Sequence, residues 1–436
     1  MKRLLVLLLS VGLFVIFSQS ALALNLKFTG EFYIAGIYLD KANLTKDIGP
    51  STAFYFQRLR VRTDFVVSPS LTLVTRFDAM ERAWGANRSA PGTALPIDSA
   101  GTNAENENLA FDWAYVEYKS PIGMFSAGYM NDGAIGTIFG DTYFPSGRIK
   151  YSISVGQLTF NAGYSKVSEG NFTAKNPSTL SDVDNDKGFL EIVYNWTGSK
   201  AGFETYYYHY DSTRPAPTSF RRSYFLFTPY VIAKTGPVAL QAEFNYLNGT
   251  DKGENGVGDV KLENITGWID ATATFGPVYF GATFAYVSGD DPNTTDKREG
   301  GVINGGHDWS PTLIMWNYDR STWIGNLEST ATVGNGFGAS FANGFLYQGR
   351  VGIKPTDSWD IMASFTYANA DKKPLNYVSD QYGYELDVTA TYKITNNLTY
   401  MLGAGYLWTG DYFKGTSGAT NISNDYLLIN KLTLVF

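Results

Sequence analysis

From Asn25 to the final residue, apolar and polar positions alternate with a period of two. Trp359, Ile361, Ala363, Phe365 and Tyr367 interleave with Asp360, Met362, Ser364 and Thr366. The segments Val238 to Tyr246, Tyr384 to Tyr392 and Leu398 to Tyr406 obey the same rule. Successive side chains of a strand point to opposite faces, so each segment predicts a strand with one apolar and one polar face. A soluble sandwich shares that alternation. Here, however, aromatic residues gather at segment ends, as Tyr367, Tyr392, Tyr406 and Trp408 do. Rings with one polar end are most stable at the two interfaces of a bilayer, so the pattern predicts strands that cross one.

The connections alternate between short and long. Turn-forming residues sit at Ser68–Ser70, Ser120–Gly123, Val155–Gly156, Thr197–Ser199, Thr235–Pro237, Gly276–Pro277, Pro355–Asp357 and Thr395–Asn397. Between them lie polar stretches at about 40–52, 84–107, 131–147, 168–186, 211–220, 248–262, 289–342, 371–382 and 409–424. Eight turns and nine loops join 18 strands. The fold class is therefore all-β, a transmembrane antiparallel β-barrel with tight periplasmic turns and long outer loops. Residues 289–342 contain Leu313-Ile314-Met315-Trp316 and a glycine-rich tract without clean alternation. They predict an inserted turn, helix or strand pair, which leaves 16 strands as the alternative count.

The amino terminus adds a compartment. Lys2 and Arg3 precede an apolar run from Leu4 to Phe17, and Ala21-Leu22-Ala23 supplies small residues for cleavage. This predicts a signal peptide over 1–23 and a single barrel domain over 24–436. The run is shorter than the roughly 20 residues a helix needs to span a bilayer. Cleavage leaves 32 basic against 41 acidic groups, near −9.

Composition then excludes whole classes. With no cysteine there is no disulfide scaffold, thiol catalysis, c-type haem or lipidated anchor on this chain. Acidic balance offers no basic surface for nucleic acid. Neither of the two histidines, His209 and His307, stands near a marked nucleophile; both read as interfacial or loop-surface residues, and no enzyme activity is expected. Asp182, Asp184 and Asp186 have calcium-like spacing but lack the glycine and glutamate of such a loop, so they read as solvated. No cofactor or metal is expected.

The polar faces carry the candidate chemistry. In the second strand Arg58, Arg60, Arg62 and Asp64 share one face, opposite Leu59, Val61, Thr63 and Phe65. Each arginine on a lipid face would cost about 2–4 kcal/mol near the midplane, so they point inward. Arg76, Asp78 and Arg82 repeat the pattern on the next strand, and Arg148 and Lys150 on a later one. Glu204, Glu243, Asp270, Asp360, Glu385 and Asp387 are predicted to line the interior elsewhere. So many charges need a wet lumen, which barrels of this size contain. The alternative is that they pair across the barrel and fill it. The dense basic cluster points to anions or dicarboxylates as preferred solutes.

Two stretches carry a family resemblance. The last strand alternates to Leu432, Leu434 and a terminal Phe436, which resembles the C-terminal signal by which the barrel assembly machinery recognises outer-membrane barrels. The run from Trp113 through Tyr129 to Arg148 is similar to the third-loop region of Gram-negative general porins. That resemblance implies a third loop, about 131–147, folded into the pore. Its Asp132 and Asp141 would face Arg58, Arg60, Arg62, Arg76 and Arg148, with Gly133, Gly136 and Gly140 permitting the tight path. It also implies a water-filled channel for passive diffusion of small hydrophilic solutes and ions, a homotrimer, and a setting in outer-membrane lipid and lipopolysaccharide. The chain departs from the family in having Phe139-Gly140-Asp141 where an acidic Pro-Glu-Phe-Gly-Gly element is usual. Other barrels it resembles are substrate-selective uptake or alginate-export channels, and the sheath of a conduit whose multihaem cytochrome partner holds the haem.

Overall fold

The computed structural model describes residues 25–86, 109–170, 183–211 and 218–436. The leader expected over 1–23, most of the second long connection and Asp182 lie outside the described residues. Eighteen strands follow in order: β1 (Asn25–Leu39), β2 (Thr52–Ser68), β3 (Leu71–Ala83), β4 (Ala110–Ser120), β5 (Gly123–Asn131), β6 (Pro145–Val155), β7 (Leu158–Ser168), β8 (Asn185–Trp196) and β9 (Ser199–Tyr210). Then come β10 (Phe220–Thr235), β11 (Val238–Gly253), β12 (Val260–Phe275), β13 (Val278–Val287), β14 (Gly344–Ile353), β15 (Trp359–Asn369), β16 (Gln381–Lys393), β17 (Leu398–Thr409) and β18 (Asp425–Val435). Every strand pairs antiparallel with its sequence neighbours, and β18 pairs with β1, so the sheet closes on itself. Closure satisfies the backbone where no water can, which an open sheet in a bilayer could not do.

Each of the eight tight turns joins the two strands that the turn residues predicted. The alternative count of 16 strands falls away because 288–343 is a single connection between β13 and β14. It holds one short helix, α1 (Tyr318–Ile324), and two-residue pairings of Val302–Ile303 with Phe341–Ala342 and of Lys297–Arg298 with Lys261–Leu262. One predicted loop, 248–262, is mostly strand. Its sequence is polar, but Arg222 of β10 grips Asp251 of β11 through Nε and Nη2 at 2.6 and 2.7 Å. That ion pair extends the ladder outward to Phe220 opposite Gly253.

The faces sort as the alternation requires. Phe365, Leu386 and Leu402 stand outward and exposed, whereas Arg58, Arg76, Glu243 and Glu385 are buried inside. The apolar core lies inside the barrel too. Ile314, Met315, Trp316, Trp323, Phe337 and Phe341, all from the long connection, pack with Tyr33, Ile37, Phe56 and Leu346 of the wall. The connection therefore supplies hydrophobic filling that completes an apolar patch on the inner wall.

The closing seam depends on one missing side chain. Gly30 N donates to the carbonyl of Phe436 at 2.7 Å, and Phe436 N returns the bond at 3.0 Å. A Cβ on Gly30 would stand 2.4 Å from the Arg60 carbonyl and 2.7 Å from the Phe436 ring. Gly30→Ala should therefore cost about 1–3 kcal/mol through overpacking at the seam. In a heat-modifiability gel the folded band should be lost several degrees below wild type; an unchanged transition would show that the ring yields freely.

Candidate pore constriction

Two connections meet inside the barrel. The third, residues 132–144, is pinned at its root by Asp132, which is fully buried. Its carboxylate meets Arg148 Nη1 at 3.2 Å and Lys187 Nζ at 3.0 Å, and accepts from Ser146 Oγ at 2.8 Å. At its tip, Thr137 donates from N and Oγ1 to Glu243 Oε2 on β11 at 2.6 and 2.8 Å. Phe139 stacks on Trp268 of β12, ring centroids 5.7 Å apart. The segment thus crosses the lumen from β5–β6 to β11–β12. Gly136 has φ +63°, and a Cβ there would lie 2.4 Å from the Glu243 carboxylate, so only glycine lets the tip seat.

The long connection is clamped from both sides. Glu385 accepts from Ile314 N and Met315 N at 2.6 and 2.8 Å, and Asp387 from Leu313 N at 3.3 Å. From within, the fully buried Arg320 donates to five carbonyls. They belong to Ile314, Met315, Gly325, Phe337 and Gly338, at 2.6 to 3.4 Å. Asp319 reaches back to the wall at Lys431 Nζ, 3.0 Å.

Between the two connections and the wall lies a cavity of about 530 Å³. Arg58, Arg60, Arg76 and Lys431 line it from the wall, and Asp141, His307 and Asp308 from the connections. Each wall arginine is also paired with an acid, and one of these, Glu31, borders the cavity itself. Arg60 holds Asp78 through Nε and Nη2 at 2.7 and 2.6 Å, Arg76 meets Asp112 at 3.1 Å, and Arg58 meets Glu31 at 3.3 Å and Glu81 at 3.8 Å. The Arg76 guanidinium also lies against Trp113 and Tyr143, 4.1 and 4.0 Å from their ring centroids. Stacking and pairing together fix its plane.

The loop groups titrate abnormally. Burial, and secondarily Asp308, raise the Asp141 carboxyl to about 6. Burial raises Asp308 as well. Burial lowers His307 to about 4, against the pull of Asp319 and helped by Arg58 and Lys431. The imidazole is therefore neutral at pH 7. Since Arg58 Nη1 can only donate, His307 Nε2 accepts from it at 3.4 Å, and Nδ1 faces Asp319 Oδ1 at 3.5 Å.

Several residues stand apart from where the sequence grouped them. Asp141 shares the cavity with Arg58, Arg60 and Arg76, whereas Asp132 faces Arg148 and Lys187. Arg62 turns to Asp64 at 2.8 Å, and Arg82 donates to the Ala86 carbonyl at the loop end. Glu385 and Asp387 do not border open lumen; the inserted segment covers them. Asp270 is held by Arg350 at 2.7 Å, and Asp360 by Tyr279 Oη at 2.8 Å. His307 is not at a loop surface, because the inserted segment carries it against Arg58. Of the acidic run, Asp184 and Asp186 both contact Lys166. Among the described residues no group of three or more His, Asp or Glu is arranged to hold a metal ion. Lys431 and Glu31 were missed, although each lies on the inward parity of its strand. Asp308 and Tyr143 had no periodic signal to reveal them.

A closed antiparallel barrel of 18 strands, with charged residues inside and an apolar belt outside, is the fold of an outer-membrane porin. Solved structures show the same architecture. OpdK of Pseudomonas aeruginosa, solved with vanillate, superimposes with a TM-score of 0.52 at 13% identity, over 94% of this chain and 99% of that one. OpdQ of the same organism gives 0.52 at 12% identity, covering 94% and 97%. OccK2 (OpdF), also from that organism, gives 0.50 at 15%, covering 94% and 98%. Neither a protein-family model nor a curated protein sequence matches the chain.

The Arg320 cage makes a direct test. Arg320→Met leaves five carbonyls short of a donor, each costing on the order of 1 kcal/mol. The barrel strands do not touch those bonds. Limited proteolysis should cut the variant within 311–340 while the folded band of the barrel persists; equal resistance would dismiss the clamp.

Proposed function

We propose that this chain forms an outer-membrane channel through which small hydrophilic solutes and ions diffuse passively, with the cavity as its filter. The observation that carries this reading is the opposition of Arg58, Arg60, Arg76 and Lys431 to Asp141 and Asp308 across about 530 Å³. Charges of opposite sign on facing walls create a transverse field. A solute with separated charges aligns in that field, whereas an apolar one must disrupt ordered water. Rings of fixed charge also set ion preference. Because every wall arginine is paired with an acid, the filter favours dipolar solutes over a simple excess of anions. The outer membrane, reached by a cleaved leader and the barrel assembly machinery, is the setting that fits the apolar belt.

Purified protein in a planar bilayer should give ohmic steps of porin size; a silent barrel would refute an open channel. Arg60→Ala/Arg76→Ala should move the reversal potential in asymmetric salt toward cations, with a several-fold change in permeability ratio. Arg62→Ala, outside the cavity, should leave it unchanged.

The pH dependence has a definite sign. A carboxyl raised to about 6 is charged at pH 7 and neutral well below 6. Acidification from pH 7 to 5 therefore removes negative charge from the Asp141 side and should raise anion over cation permeability. Asp141→Asn should show the acid behaviour already at pH 7 and lose the step; a variant that keeps the step would assign it elsewhere.

A further inference from the structure

The outer wall carries a charge arrangement that the lumen does not use. On β10, β11 and β12 the outward faces end in cations at the long-connection side. Arg221 is in step with Phe225, Lys252 with Phe244 and Lys261 with Ile265, and those three apolar residues stand exposed on the wall. One residue out of step, Arg222 and Asp251 turn to the other face and bond each other. Arg221 and Lys252 lie directly opposite in register. Lys261 lies opposite Thr250, two residues from Lys252, and so stands diagonal to it. Such neighbours have Cβ atoms roughly 5 Å apart across a pair and roughly 7–8 Å apart on the diagonal.

Like charges directly opposite each other destabilise a sheet. Acids of the chain do not relieve this pair. Among the described residues Arg221 has Asp211 alone, at 3.6 Å, and that carboxylate also faces His209 at 3.3 Å. Lys252 has no ion pair among the described residues. Glu263 is taken by Lys261 at 2.8 Å and by Lys297 at 3.2 Å. By contrast, Lys166, the outward cation of β7, meets Glu169, Asp184 and Asp186. Both Arg221 and Lys252 are exposed, so an anion from outside the chain can reach them together. A phosphate group has the charge and the oxygens to accept from a guanidinium and an ammonium at once.

Position selects the source of that phosphate. Four residues from Arg221, Phe225 packs with Tyr207, ring centroids 4.9 Å apart, and both rings are exposed. Exposed outward rings at this level mark the interface girdle. At roughly 3.3 Å per residue the cations lie about 13 Å further along the strand, at the level of lipid headgroups. Under the outer-membrane reading above, on which this step rests, the long-connection ends of the strands lie in the outer leaflet. We propose that Arg221 and Lys252, flanked by Lys261, form a binding site for the phosphate groups of a phosphorylated lipid of the outer leaflet. Its acyl chains lie along Phe225 and Tyr207.

Native mass spectrometry in a neutral detergent with added diphosphoryl lipid A tests the site. Wild type should retain at least one lipid A, and Arg221→Ala/Lys252→Ala should bind it roughly tenfold more weakly. Lys354→Ala/Lys393→Ala removes the same charge from exposed positions at the short-turn end and should bind as wild type does. Without lipid, the Arg221→Ala/Lys252→Ala barrel should keep its folded band to at least the wild-type temperature, because the opposed cations are gone. Added diphosphoryl lipid A should then raise the transition of wild type only. Equal binding by wild type and the double variant, or retention of inorganic phosphate in place of lipid A, would overturn the site. So would wild type that binds dephosphorylated lipid A as tightly as the diphosphoryl form, a comparison that needs no variant to fold. Single-channel conductance separates this site from the channel reading. A silent barrel that holds lipid A through these residues refutes the channel and supports the site, whereas a conducting barrel indifferent to the phosphates refutes the site.

Discussion

A bilayer core offers no water to a peptide group, and that constraint governs everything else in this molecule. Each strand must lend its N–H and C=O groups to two neighbours, so the sheet has no free edge within the membrane and must close. Closure puts the first and last strands side by side, with Phe436 bonded to Gly30. It also leaves each inward side chain facing a confined space. Arginines excluded from lipid must share that space with acids, which is why Arg60 and Asp78, Arg76 and Asp112, and Arg350 and Asp270 are found in contact.

The barrel was legible because its constraint is local. Period-two alternation, turn residues and aromatic ends belong to one strand at a time, and together they placed all eight tight turns. Inward parity likewise followed from the cost of a charge in lipid. The filter was only partly legible. Arg58, Arg60 and Arg76 showed themselves by parity, and a family resemblance singled out Asp141. His307 and Asp308 did not, because the path of an irregular segment depends on contacts more than 70 residues away in sequence, such as Ile314 with Glu385. No periodicity encodes that. Glu385 and Asp387 show the same limit in reverse. Their parity is inward, yet the backbone N–H groups of Leu313, Ile314 and Met315 occupy them, so they serve as anchors.

The interior therefore contains two kinds of charge. Some, like Asp132 with Arg148 and Lys187, are consumed in holding the third connection. Others, like Asp141 and the exposed edges of the arginines, border the cavity. A count of charged residues mixes the two, and the distinction is geometric: a carboxylate whose lone pairs are taken by backbone N–H groups is covered and cannot bond a passing solute. The tip of the third connection belongs to the first kind, since Glu243 is occupied by Thr137 and Asn245.

The buried guanidinium of Arg320 has an evolutionary implication. It satisfies only carbonyls of its own connection, while the apolar core is shared between that connection and the wall. Such a unit folds around an internal hub and packs its apolar side chains against Tyr33, Ile37, Phe56 and Leu346 of the wall. Its rim, where His307 and Asp308 sit, can vary without disturbing that shared core. Permeability and membrane anchorage are then separate heritable traits within one continuous chain.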